Sequence, residues 1–496
     1  MPTYAEYTAH LRRAADVNYA VAVLNWDQET KMPPRGAALR AQQTATLSGI
    51  AHGLLTSPEL GELLTELDTS TLDPAAARNV ALSRYDYDRA TKLDTAFVVR
   101  QSEITSRCFE AWRAARAAND FAVFAPALTE MVAAKREEAE RRPAGAHPYD
   151  ALLESYEPGC RVAFLDSLFG EVRRELVAFV ARLRARPQLD DSFLRRTYGE
   201  DRQWQYGLDV LGRMGYAFDA GRQDRSAHPF TINFSPEDVR VTTRVDVHNF
   251  AYMLWSTMHE GGHALYEQGL PVAQYGLPLG QYCSLGVHES QSRLWENHVG
   301  RSRACWVYEY PLLQKLFPEV LTDVSLDQFY AGINRVAPNY IRTEADELHY
   351  HLHVMVRYEL EKALVEGSLA VVDLEAAWNE RYRDYLGVEV PDANRGVLQD
   401  VHWSHGLFGY FPTYSLGSFY AAQYDRAARA ALPDLDEQLA AGNYRPLLDW
   451  LRTQVHQHGR RYGADELCRR ATGEGLSLEP FMAYAKAKYG ALYGLD

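Results

Sequence analysis

Apolar residues recur at helical spacing almost throughout this chain, and they alternate strictly in one segment only. Phe97, Ile104, Cys108 and Trp112 share one helix face. Val162, Leu165, Phe169, Val172, Leu176, Phe179 and Leu183 mark a second, longer amphipathic helix. The exception is FTINFSPEDVRVTTRV, residues 230–245. There Ile232 and Phe234, then Val239, Val241 and Val245, alternate around Ser235-Pro236-Glu237. Period two about a proline turn predicts a β-hairpin. Helical spacing returns at once through Val247, Phe250, Ala251, Leu254 and Met258, with Asp246 as the expected N-cap. From Val287 onward the pattern is again mostly helical. The residues therefore predict a mainly α-helical fold carrying one short β-sheet. Pro33-Pro34, Pro143 to Pro148 and Pro187 mark turns. No internal repeat, low-complexity tract or long linker divides the chain. We read residues 1–496 as a single domain with a soft division into 1–225 and 226–496.

Composition narrows the function. Lys and Arg number 52 against 66 Asp and Glu, a net charge of −14. Phosphate binding rests on Lys and Arg, so a nucleic-acid partner is not expected. With 47% apolar residues the chain can bury enough surface to fold. The five cysteines are scattered and form no C-x-x-C pair, the pattern of reduced thiols. The first residues lack the apolar stretch of a signal peptide, and no run approaches the roughly 18 apolar residues of a membrane span. A cytoplasmic, non-membrane protein of enzyme size is expected.

The helix after the hairpin contains His259-Glu260-Gly261-Gly262-His263. Histidines at i and i+4 share a face and can reach one metal ion. A glutamate beside the first can take a proton from water at the open coordination position. Two mid-helix glycines cost about 1 kcal/mol each relative to alanine, so close approach by another element is expected there. Gly269 offers a C-terminal stop. A strand edge next to the metal could bind an extended peptide by backbone pairing. A third ligand is needed, and Glu289 supplies it from a second predicted, partly buried helix. His288 and His298 read as supporting residues. In the cluster His349, His351 and His353, the i, i+2, i+4 spacing puts His351 on another face, so it reads as a core or groove-lining group. Cys283 reads as a small hydrophobe.

These residues, with others, resemble the carboxypeptidase Taq family of metallocarboxypeptidases. The resemblance runs through WDQETKMPPRG (26–36), HPF (228–230), DVRVT (238–242), HEGGH, HESQSR (288–293), IRTEAD (341–346), GVLQDVHW (396–403) and FGYFPTYSLGSFYAAQ (408–423). It implies a zincin-like helical body of the neurolysin and angiotensin-converting-enzyme kind, with a deep groove. It implies one divalent metal per chain, zinc with cobalt able to substitute, held by His259, His263 and Glu289, with Glu260 as general base. Peptides with a free C-terminus are the implied substrates, losing single residues with broad specificity, and the implied assembly is a homodimer.

Carboxypeptidase chemistry also needs an oxyanion donor and a cation for the terminal carboxylate. Tyr414 is the expected donor, with His402 beside it, in a Tyr/Gly-rich stretch (402–420) that reads as a loop. Arg342 in IRTEAD is the expected carboxylate anchor. Arg240 in DVRVT is the second choice, with closing the groove end or pairing with Asp238 as its other reading. Asp346 and Asp400 read as supporting carboxylates, one of which could accept the free N–H of a ligand histidine. A dipeptidyl carboxypeptidase or oligoendopeptidase of related fold is the alternative.

Overall fold

The computed structural model describes residues 2–495. About 70% of the chain is helical, with one small sheet. Among the described residues, no helix is long and apolar enough to cross a membrane.

The period-two segment does form a hairpin. Strands β2 (Thr231–Ser235) and β3 (Asp238–Thr243) pair antiparallel, and Glu237 N–H donates to the Ser235 hydroxyl in the turn (3.1 Å). A third strand, β1 (Gly221–Arg225), runs parallel to β3, giving the order β1-β3-β2 with β2 at an edge. The helix Phe250–Glu267 follows. Its N-cap is Asn249, whose side chain accepts from Tyr252 N–H. The expected cap, Asp246, lies too early and accepts from His248 N–H instead (2.8 Å).

The chain forms two compact units that interleave along the sequence. The first comprises Met1–Thr91, Asp190–Ile333 and Ala421–Gly475, and the second Lys92–Leu189, Asn334–Tyr420 and Leu476–Asp496. Both draw on residues from either side of position 225. In the first, the helix Phe250–Glu267 packs on the helices Glu200–Met214 and Leu285–Arg293 and on β2 and β3. Its glycine pair is explained by these approaches. A β-carbon on Gly262 would lie 2.5 Å from the Gln291 carbonyl oxygen and 2.6 Å from the Ser292 α-carbon, and one on Gly261 would meet Leu211 and Met214. In the second unit the helix His349–Glu366 is buried on nearly every side, as a central helix must be. Around it lie Ala125–Arg141, Pro148–Leu153, Val162–Arg184 and Leu374–Leu386.

Candidate metal centre

Two helices of the first unit build one constellation. His259 and His263, one turn apart on Phe250–Glu267, turn their Nε2 atoms toward Glu289 on Leu285–Arg293. The Glu289 Oε2 atom lies 3.5 Å from His259 Nε2 and 3.4 Å from His263 Nε2. The three donor atoms lie within 4.8 Å of one another. The outer nitrogens are already engaged. His259 Nδ1 lies 3.0 Å from Glu296 Oε2, and His263 Nδ1 lies 3.1 Å from the His288 carbonyl oxygen. An acceptor at each Nδ1 fixes the proton there and leaves the Nε2 lone pair facing inward. Two imidazole lone pairs and a carboxylate oxygen converging on one point fit a divalent ion of the zinc type.

Electrostatics at His263 and Glu289 agree with ligand chemistry, while at His259 burial, which lowers the pKa, is outweighed by Glu289 and Glu296, which raise it. Burial and the neighbouring His288 ring push His263 down to about 3, so it stays neutral in ordinary buffers. Burial opposes ionisation of Glu289, but the Arg293 guanidinium and the two imidazoles outweigh it and hold the carboxyl well below its usual range. Arg293 Nε donates to Glu289 Oε1 (2.7 Å), which leaves Oε2 to the histidines. Burial raises Glu260, opposed by His259 and by the Thr231 hydroxyl. That hydroxyl, on edge strand β2, donates to Glu260 Oε2 at 2.6 Å. Behind His263, the His288 ring lies 2.6 Å away, Nδ1 to Nδ1, and its Nε2 contacts Glu267 Oε1 (2.8 Å).

The second unit gathers the other residues marked in the sequence. Arg342 donates through Nε and Nη2 to Asp400 Oδ1 (3.1 and 2.9 Å), and Arg357 donates to Asp400 Oδ2 (2.6 Å). Burial works against the Asp400 charge, but the two guanidiniums hold it far below the ordinary carboxylate range. Two cations thus share one anion. Arg342 lies over the Tyr414 ring, 4.8 Å from its centroid, and the Tyr414 hydroxyl is 3.1 Å from His402 Nε2. Burial pushes His402 down to about 3, so it is neutral. The stretch from 402 is irregular only as far as Phe411. A helix, Pro412–Ala431, begins there and carries Tyr414, because proline is favoured in the first helical turn.

Arg240 pairs with Asp238 through both arms of its fork (2.9 and 2.8 Å) and lies over Trp26 and Phe234. The His349, His351 and His353 rings are fully buried and bond to Asp346, Ser415 and Tyr382 respectively, a core cluster. Asp346 and Asp400 do support other side chains, but neither accepts from His259 or His263. Asp346 is taken by His349 and Asp400 by arginines, and Glu296 stands behind His259. Glu296 went unread, although Arg293 flanked by Glu289 at −4 and Glu296 at +3 is a charge pattern that marks one helix face.

Comparison with known proteins gives a consistent answer. Residues 6–489 match the family described as carboxypeptidase Taq (M32) metallopeptidase. Thermostable carboxypeptidase 1 of Thermus thermophilus is 45% identical over 487 residues, 95% of each chain. Carboxypeptidase 1 of Bacillus subtilis is 37% identical over 98% of each chain. The crystal structure of the M32 carboxypeptidase from Deinococcus radiodurans R1 superposes with a TM-score of 0.97 at 40% identity, covering 99% of both chains.

Proposed function

The chain belongs to the carboxypeptidase Taq (M32) family of metallopeptidases, and from that premise we propose that it removes single residues from free peptide C-termini. A peptide hydrolase using a divalent metal follows from the family itself. The metal chemistry rests on one observation, the convergence of His259, His263 and Glu289, with Glu260 next to His259 in sequence; single-residue cleavage at the C-terminus rests on the family and on relatives named carboxypeptidases.

When bound at those residues, the ion acts as a Lewis acid that brings the pKa of its water toward about 7 and polarises the scissile carbonyl. Glu260 would take the proton of the attacking water and deliver it to the leaving amine as the C–N bond breaks. The Tyr414 hydroxyl, held by His402, donates to the developing oxyanion. Thr231 places edge strand β2 beside Glu260, which supports backbone pairing of an extended substrate there. Arg342 anchors the terminal carboxylate. Its support is the surplus positive charge of Arg342 and Arg357 around Asp400, whereas Arg240 is matched one to one by Asp238. Zinc as the ion with cobalt able to replace it, broad specificity, a homodimer and a cytoplasmic location complete the proposal on the strength of the family resemblance.

The deciding experiment is mass spectrometry of products from one peptide and its C-terminally amidated twin. A ladder of single losses from the free form alone is expected. Internal or dipeptide cuts would favour the oligoendopeptidase or dipeptidyl reading. In the same assay Glu260→Gln is expected to keep its metal and lose roughly 10²- to 10⁴-fold in kcat, and retained turnover would remove its role as base.

A further inference from the structure

The helix that supplies Glu289 does not continue as an α-helix. From Leu294 to Val299 it opens into a π turn, and Gly300 N–H donates to the carbonyl of Trp295, five residues back (2.9 Å). Such turns are rare, and they shift the side chains after them off the α-helical stripe. Glu296 lies within this turn. Glu289 approaches His259 at Nε2, while Glu296, from the same run of chain, approaches it at Nδ1 on the far side of the ring.

Glu296 is itself held from several directions. Arg293 Nη1 donates to its Oε2 (3.1 Å) while the same guanidinium's Nε donates to Glu289 Oε1. Arg301 reaches the Glu296 Oε1 atom (3.5 Å) and lies over the Trp255 ring, 4.1 Å from its centroid. Glu296 is buried, and a buried carboxylate held so firmly orients whatever hydrogen bond it accepts. His263 has only a backbone carbonyl and the His288 ring at its Nδ1, so the two histidines are supported unequally.

We propose that Glu296, which lies in the π turn and is tied to Glu289 through Arg293, is the positioning residue that sets the orientation and proton of His259 for the metal. The inference rests on the metal-centre reading given above. The test is metal affinity of the purified full chain, stripped and titrated with zinc and with cobalt against a competing chelator. Removal of a partner of this kind weakens metal binding by roughly 10- to 100-fold, and that range is expected for Glu296→Gln, with the melting point of the metal-free protein little changed. Glu296→Asp, which keeps the charge but is shorter by one methylene, is expected to fall between. It is also the fallback if the Gln variant does not fold. Affinity in Glu296→Gln within about twofold of wild type overturns the assignment, as does an unchanged Glu296→Asp. His263→Ala reports on the centre itself. If that variant binds zinc as tightly as wild type, the ion is held elsewhere and both readings fall.

Discussion

At the scale of single residues, Glu361 deserves notice alongside the metal ligands. It lies fully buried on His349–Glu366 and accepts from the Tyr149 hydroxyl (2.5 Å), Trp403 Nε1 (2.8 Å) and Gly409 N–H (3.0 Å). Burial nevertheless pushes its pKa from 4.5 up to about 7, against those donors. A carboxyl whose folded pKa is raised binds its proton more tightly in the native state. Its contribution is therefore most favourable below about pH 4.5 and is lost as pH rises toward 7, by about 3 kcal/mol at most. Urea midpoints of wild type are expected to fall between pH 5 and 8 more steeply than those of Glu361→Gln. Parallel pH dependences would show that Glu361 is ionised throughout.

At the scale of elements, the crossing of Phe250–Glu267 over Leu285–Arg293 is set by Gly262. Gly262→Ala drives a β-carbon into the Gln291 and Ser292 backbone, which cannot rotate away. Overpacking of this kind costs about 1–3 kcal/mol, and displacing the Glu289 helix is expected to weaken metal binding as well. Gly261→Ala meets only the ends of Leu211 and Met214, while alanine gains about 1 kcal/mol in helix propensity. Its melting point is expected to stay within a degree or two of wild type, and equal losses in both variants would refute the argument. The elements themselves were largely legible. Period two marked β2 and β3, and the His-Glu-x-x-His spacing marked one face of a helix. Strand β1 was not, because Gly-Arg-Gln-Asp-Arg offers no apolar alternation and its pairing with β3 is decided by tertiary contact. The helix carrying Tyr414 was hidden by aromatic crowding, although Phe408, Phe411 and Phe419 are fully buried core residues. Glu296 leaves no mark in hydrophobic periodicity, and its signal lies in the charge spacing of Glu289, Arg293 and Glu296.

At the scale of the molecule, neither unit is a continuous stretch of chain. The helix Glu479–Tyr493 belongs to the second unit and packs on Val162–Arg184 there, with Tyr489 donating to Glu347 (2.6 Å) and Val336 N–H donating to the Tyr493 hydroxyl (2.7 Å). A chain cut after Gly475 is expected to show faster amide exchange in Val162–Arg184 and His349–Glu366. Unchanged protection would mean that the last helix is an accessory. The interleaving also constrains the order of events on the ribosome. All three proposed ligands have been synthesised by residue 289, yet the first unit includes residues 421–475 and the second 476–496. At roughly 5–20 residues per second, apolar helices of both units stand exposed for tens of seconds before either can close. Production of the enzyme is therefore expected to depend on chaperone supply more than its size suggests, and slowing translation gives it little opportunity to fold piece by piece.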